Sequence, residues 1–314
     1  MEQSSSPTGS ACSAPSRPGQ DRRVRHGEQG GARHAEQDDQ GRATGHLVVR
    51  AVGALPFQYD ARRPFGDARV RQALQLVFDY KRWADNYYSE GLWEHTGPLA
   101  AAFPEAIPSS EIAKLPGWNP ATKEQDIKKA KDLMTAAGYP DGAFPFKFFV
   151  QAGGNGFPWN DYAIQAQDTL KRIWPAMDVS LDVAPDSGTF GTRSVQSDFD
   201  VVVYVIYSAP DAVLDLTDAY HSNGSRNYGK FKDAQIDQLL EKAATQLDTT
   251  QRTATFKEIQ DKLITTHMPI ITIAQPKQIE HLSPKLRGIE NLGRPFGGAL
   301  RDVSQSTKNF WFER

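Results

Sequence analysis

A single cysteine, Cys12, among 314 residues excludes an intrachain disulfide and any centre built from several thiolates. No stretch approaches the roughly 18 to 20 consecutive apolar residues that cross a bilayer. The first residues carry no apolar run of a secretory signal either, so the expectation is a soluble chain without an export signal of its own. An excess charge of one sign is also missing. With 36 basic and 38 acidic residues the net charge is -2, too small to draw nucleic acid or an anionic membrane through a global field. Between Met1 and His46 there is no Leu, Ile, Phe, Trp or Tyr, and Val24 is the only branched aliphatic residue. Such a segment cannot bury enough apolar surface to offset its ordering entropy, which predicts a disordered tail over 1–46. Apolar residues begin abruptly at Leu47, an onset that also fits a tail foreign to the rest.

Motifs of catalysis are scarce too. The seven histidines include no HExxH, and no GxSxG elbow, P-loop or strand-GxGxxG-helix pattern occurs. Asp198 and Asp200 are the candidate carboxylate dyad. At a strand start, period two puts them on one face, which reads as a solvated edge. The expectation is a protein that is not an enzyme and needs no metal or cofactor.

What is present reads as alternating strands and helices. Leu47 to Phe57 has the Val and Leu content of one strand. Asp67 stands where an N-cap belongs, before Val70, Leu74, Val77 and Phe78 at helical spacing on toward Gly91. Thr122 and Gln125 spell a capping box for a helix on Ile127, Ala130, Met134 and Ala137, stopped by Gly138 and Pro140, with Pro140-Asp141-Gly142 as a turn. Phe144 to Val150 is a strand before the loop Gly153-Gly154-Asn155-Gly156, and 161–173 an amphipathic helix. Val179, Leu181 and Val183 alternate with polar residues as in a half-buried strand. Val201 to Ile206 is continuously apolar or aromatic, as in a strand covered on both faces. Ile236 to Leu247 and Phe256 to Leu263 give two more helical stripes, and Ile270 to Ile273 a last strand. The pattern predicts an α/β protein with a largely parallel sheet.

Three segments in order carry a resemblance. Pro64-Phe65-Gly66-Asp67-Ala68-Arg69-Val70-Arg71-Gln72-Ala73-Leu74 comes first, then Trp118-Asn119-Pro120 through Ala137-Gly138-Tyr139-Pro140-Asp141-Gly142. The third runs from Ser197-Asp198-Phe199-Asp200 to Pro210-Asp211, Tyr220-His221-Ser222, Arg226-Asn227-Tyr228 and Ile236-Asp237-Gln238-Leu239-Leu240. Together they resemble the family 5 extracellular solute-binding proteins, which deliver peptides, nickel complexes or sugars to ABC importers. The resemblance begins near Leu47 and matches the latter part of a usual member. It implies a type II periplasmic-binding-protein-like fold of two lobes, here mostly the second lobe plus the carboxyl-terminal return to the first. Residues 47–66 would be a hinge and first-lobe remnant, 67–268 the second lobe, and 269–314 the hinge and return, with much of the first lobe absent. It further implies a monomer outside the cytoplasmic membrane that captures a peptide or similar small solute between lobes for permease subunits in the membrane. The alternatives are a hydrolase of peptides or glycosides and a truncated fragment that binds nothing.

Ligands of open α/β sheets gather beyond the carboxyl ends of strands, which selects Tyr204, Tyr207, Ser208 and Asp211. Tyrosine offers an apolar face and a hydroxyl, suited to peptide groups, while packing at the sheet edge is the competing role. The family's peptide binders have a tryptophan and an amine-pairing aspartate here. Tyr204 stands near the tryptophan position, and only a displaced loop would let Asp211 serve as the aspartate. Asn223, Arg226 and Asn227 form a second polar group in which an arginine would grip a carboxylate, against the plainer role of a capped surface loop. Trp159 beside the glycine loop is the third candidate.

Overall fold

The computed structural model describes residues 46–51, 56–60, 62, 64–89, 91–101, 103–152, 159–204, 211–282, 285–287 and 311–312. The expected tail, apart from His46, lies outside the described residues, as do the loop 153–156 and residues 205–210.

Two strands, β1 (His46–Ala51) and β2 (Pro56–Tyr59), stand where the sequence suggested one, and they belong to different sheets. Helix α1 (Ala68–Val77) starts as expected, with the Asp67 carboxylate accepting the Arg69 N–H at 2.9 Å. It does not run on toward Gly91. Phe78 is extended, and Asp79 accepts the Arg82 N–H at 3.1 Å to cap a second helix, α2 (Tyr80–Asp85). The break is filled by Lys123, whose Nζ donates to the carbonyls of Leu76, Phe78 and Gly117 at 3.2, 2.7 and 2.7 Å.

After β3 (Trp93–Glu94) and the single turn α3 (Ser109–Ile112) comes a 3-10 turn (Pro120–Thr122), then α4 (Lys123–Ala136). The expected capping box is not made. Asn119 caps the 3-10 turn, and the Thr122 hydroxyl donates to the buried Asp126 carboxylate at 2.9 Å. Gly138 closes α4 at φ +93°, the left-handed region that glycine enters without a Cβ penalty.

Strand β4 (Pro145–Gln151), helix α5 (Trp159–Ile173) and strand β5 (Asp178–Ala184) follow close to expectation. Helix α6 (Ser187–Gln196) was not foreseen, because Ser, Gly and Thr are poor helix formers. Asp186 accepts the Thr189 N–H at 2.8 Å, and Phe190 stacks on Phe149 with centroids 5.0 Å apart. Strand β6 (Val201–Val203) precedes a second unforeseen helix, α7 (Ala212–Tyr220). Helices α8 (Ala234–Thr245) and α9 (Thr249–Lys262) match their stripes except at Leu247, which lies beyond α8 and is 98% exposed. A π turn (Leu263–His267) leads into β7 (Ile270–Thr272), which is not the last strand. Strands β8 (Gln275–Leu282), β9 (Leu286–Arg287) and β10 (Trp311–Phe312) come after it.

The main sheet has the order β5-β4-β6-β2-β7. Strands β5, β4 and β6 are mutually parallel, as the α/β pattern predicted, whereas β2 is antiparallel to both of its neighbours. A second sheet, β1-β8-β3, is antiparallel. Because β1 pairs with β8 and β2 with β7, the same two chain segments pass from one sheet to the other.

The main sheet separates two apolar clusters. On one face Phe146, Phe148, Val150, Val201 and Val203 meet side chains of α1, α4 and α5. On the other Phe149, Val202 and Ile270 meet α7, α8 and α9. This two-sided burial explains the unbroken apolar run of β6, since each such side chain withdrawn from water contributes about 1.5 to 3 kcal/mol. At the sheet margin, the expected alternation of β5 holds for buried Val179 but not for Val183, which is exposed.

Candidate functional site

Parallel β4, β5 and β6 point their carboxyl ends the same way, so Gln151 and Tyr204 stand at one rim of the sheet. Tyr204 is buried there, its ring 5.4 Å from that of Tyr228. Burial holds its phenol well above the usual range, reinforced by Tyr220, Tyr228 and Asp215 and opposed by Arg226. Those four side chains therefore lie within electrostatic reach of the Tyr204 hydroxyl. The structure thus joins Tyr204, from the strand tip, to the Arg226 loop that sequence spacing kept apart.

Asp211 has two partners. Its Oδ1 accepts the Val213 N–H at 2.8 Å, capping α7, and Arg252 Nη2 reaches both carboxylate oxygens at 3.2 and 3.0 Å. Partial burial alone would raise the Asp211 pKa; the bonds from Arg252 and from the Val213 backbone outweigh it and leave the group below its usual range. Arg252 lies over the Phe256 ring, 5.4 Å from its centroid.

The loop after α7 is well satisfied internally. Asn227 is buried, its Nδ2 donating to the carbonyls of His221 and Phe231 at 3.1 and 2.7 Å while Oδ1 accepts the Phe231 N–H at 2.9 Å. Asn223 is exposed, and its N–H donates to His221 Nδ1 at 3.1 Å. The Arg226 N–H donates to the Asp218 carbonyl at 2.8 Å, and the residue is partly exposed. Trp159 belongs to a different aromatic stack: it is buried at the start of α5, 6.0 Å from the Phe190 ring. Tyr207 and Ser208 lie outside the described residues.

Three members of this rim escaped the sequence reading as site residues. Tyr228 directly follows Arg226 and Asn227, and its place as the aromatic adjoining that polar pair is the signal for it. Arg252, 41 positions from Asp211, gave no local signal. Gln151, buried at the end of β4, donates to the Ser187 hydroxyl at 2.6 Å and falls one residue past the strand that the sequence suggested over Phe144 to Val150.

Asp198 and Asp200 are both engaged within the fold. Asp198 takes a 2.7 Å bond from Arg193, which also grips Asp182, while Asp200 accepts the Lys147 N–H at 2.9 Å. Among the described residues no group of three or more His, Cys, Asp or Glu is arranged to hold a metal, and no helix is long and apolar enough to cross a membrane. An open groove of about 560 Å3 lies between Asp67, Arg69 and Tyr139. Tyr139 packs on Phe144, just before β4, so this groove is at the opposite end of the strands from Tyr204. Its charges are already engaged, Arg69 bonding both Asp67 and the Ala136 carbonyl at the end of α4.

With this geometry in place, comparison with known proteins decides the family. Residues 32–228 match the model of the bacterial extracellular solute-binding proteins, family 5 middle region. The chain belongs to this family. Over 242 residues it is 24% identical to the heme-binding protein A of Haemophilus influenzae, covering 75% of this chain and 41% of that one. A putative binding protein of Brucella suis is also 24% identical, with 72% and 43% covered. Among solved structures, the Escherichia coli murein tripeptide binding protein MppA superimposes with a TM-score of 0.65 at 19% identity, over 85% of this chain and 50% of that one. Haemophilus influenzae OppA, in complex with RPPGFSPFR, gives 0.66 at 17% identity and the same coverage. The fold is that of a type II periplasmic-binding protein, α/β as expected. The chain spans half or less of the length of these relatives.

Proposed function

We propose that this family 5 chain works as the substrate-binding component of an ABC importer, taking a peptide or similar small solute against the carboxyl-end rim of its parallel strands for delivery to permease subunits. The observation that carries the reading is the meeting of Tyr204, Tyr228 and Arg226 at that rim in a chain of this family. Aromatic faces pack on a peptide chain, and a guanidinium forms a bidentate bond with its terminal carboxylate. Asp211, fastened by Arg252, is a rim anion for an ammonium group, and Asn223 an exposed polar neighbour.

In this reading residues 67–268 form one lobe, and 47–66 with 269–314 are the hinge and the return to the other. The support is that β1–β8 and β2–β7 are the segments shared by the two sheets. Ligand contacts from both lobes would favour the closed state. The setting is periplasmic or extracellular, as in the family, and the protein acts as a monomer without turnover. The hydrolase alternative finds no support in the engaged Asp198 and Asp200.

Thermal unfolding in the presence of tripeptides, nonapeptides or heme tests the proposal. One ligand class should raise Tm with concentration, as expected for binding to the native state alone. Arg226→Gln should then weaken a peptide about tenfold, which corresponds to about 1.4 kcal/mol. No response to any class, or cleavage of the peptide, would refute it.

A further inference from the structure

The π turn at the end of α9 is held from two sides. From α1, the buried Arg71 donates through Nε to the carbonyls of His267 and Met268 at 2.8 and 3.1 Å, and through Nη1 to the Phe65 carbonyl. Gln72 Nε2 adds the carbonyls of Thr265 and Thr266 at 2.9 and 3.0 Å. Two neighbouring side chains of the Pro64–Leu74 segment thus satisfy the carbonyls that a helix end leaves open. On the α8 side the contact is the His267 ring. It meets the Phe231 ring edge-on at 5.4 Å, and its Nε2 lies 3.7 Å from Asp233 Oδ2.

Met268 follows at φ +42°, a left-handed turn costly for a side chain with a Cβ, and feeds directly into β7 and β8. Whatever loosens His267 therefore acts at the root of the segment that passes from one sheet to the other. We propose that His267 is a pH-sensitive latch, fastening the π turn against α8 while neutral and loosening it, with the β7–β8 passage, when it gains a proton.

The surroundings explain the direction. An imidazolium there would be partly desolvated and would face Arg71 from α1 and Lys262 from α9, with Asp233 at the start of α8 as the opposing anion among the described residues. Asp233 also caps α8: its other oxygen, Oδ1, accepts the N–H groups of Gln235 and Ile236 at 3.0 and 2.9 Å, which spreads its charge toward the helix start. The positive end of the α8 dipole also lies beside it. Burial first, then Arg71 and Lys262, hold the imidazole below its ordinary value against the pull of Asp233. A histidine depressed in the fold leaves stability intact above the unfolded value and removes it as pH falls toward the folded one.

The test is made on the full chain. In an NMR titration, the imidazole resonance that disappears in H267Q should titrate below 6.5, the value of an unperturbed histidine. Amide exchange at Ile271 and Ile273, compared between wild type and H267Q at equal pH, should be relatively faster in wild type at pH 5 than at pH 7.5. An imidazole titrating at or above the ordinary value, or an exchange ratio that does not change with pH, would overturn the latch. Each measurement stands if H267Q is less stable overall, because the titration is read on wild type and the exchange ratio is internal to the pair.

Discussion

Lys123 shows how one side chain can decide where a helix stops. Its ammonium, partly buried and donating to three backbone carbonyls, closes α1 and orients α4, and burial pulls its pKa down against the attraction of Asp126 and Asp79. Lys123→Met keeps the aliphatic stem but strands those carbonyls. It should cost about 1 to 3 kcal/mol in urea unfolding, the usual penalty for orphaned buried polar groups. His95 is the acid-sensitive counterpart. It packs edge-on against Trp93 at 4.9 Å, its Nδ1 is buried without a hydrogen-bond partner among the described residues, and burial, with Lys81 helping and Asp85 opposing, brings its pKa down to about 4. Stability from the neutral ring is therefore complete above about 6.5 and drains away as pH falls to about 4, by at most ~3 kcal/mol. Unfolding curves of His95→Phe should lose less over that window than wild type.

Aspartate is the recurrent device at helix starts, as Asp67, Asp79, Asp186, Asp211, Asp233 and Asp248 each accept backbone N–H groups of the turn they begin. Asp211→Ala should cost about 1 kcal/mol of stability, measured by denaturant midpoint, and Asp211→Asn less, since the amide still caps while the half-exposed Arg252 pair adds little. These caps also mark how far the sequence could be read. Asp67 was legible because an apolar stripe follows it at once. Thr122 and Gln125 had the right letters, but Asn119 starts a 3-10 turn upstream and Asp126 captures the threonine hydroxyl. Helix α6 was hidden by weak local propensity, being held by Phe190 in a tertiary stack, and α7 because its apolar residues follow a segment read as a ligand loop. Of the candidate rim, the link from Tyr204 to the Arg226 loop and the bond from Arg252 to Asp211 come from tertiary folding, which no local spacing encodes.

At the level of the molecule, the main sheet is shared by both apolar clusters, so neither should persist without the other. Trp83, Trp118, Trp159 and Trp174 all lie in the cluster with α1, α4 and α5, making tryptophan fluorescence a reporter of that face. Far-UV circular dichroism reports both. The two urea transitions should coincide, and separated midpoints would show that the faces unfold independently. The place of β2 has a further consequence. A strand near residue 57 sits between β6 and β7, so the middle of the sheet is assembled from distant parts of the chain. On the ribosome, β2 must wait for residue 203 before it gains one neighbour and for residue 272 before it gains the other. Nascent chains arrested short of β7 would display β2 as an unpaired margin, an aggregation hazard that a holding chaperone would have to cover during synthesis.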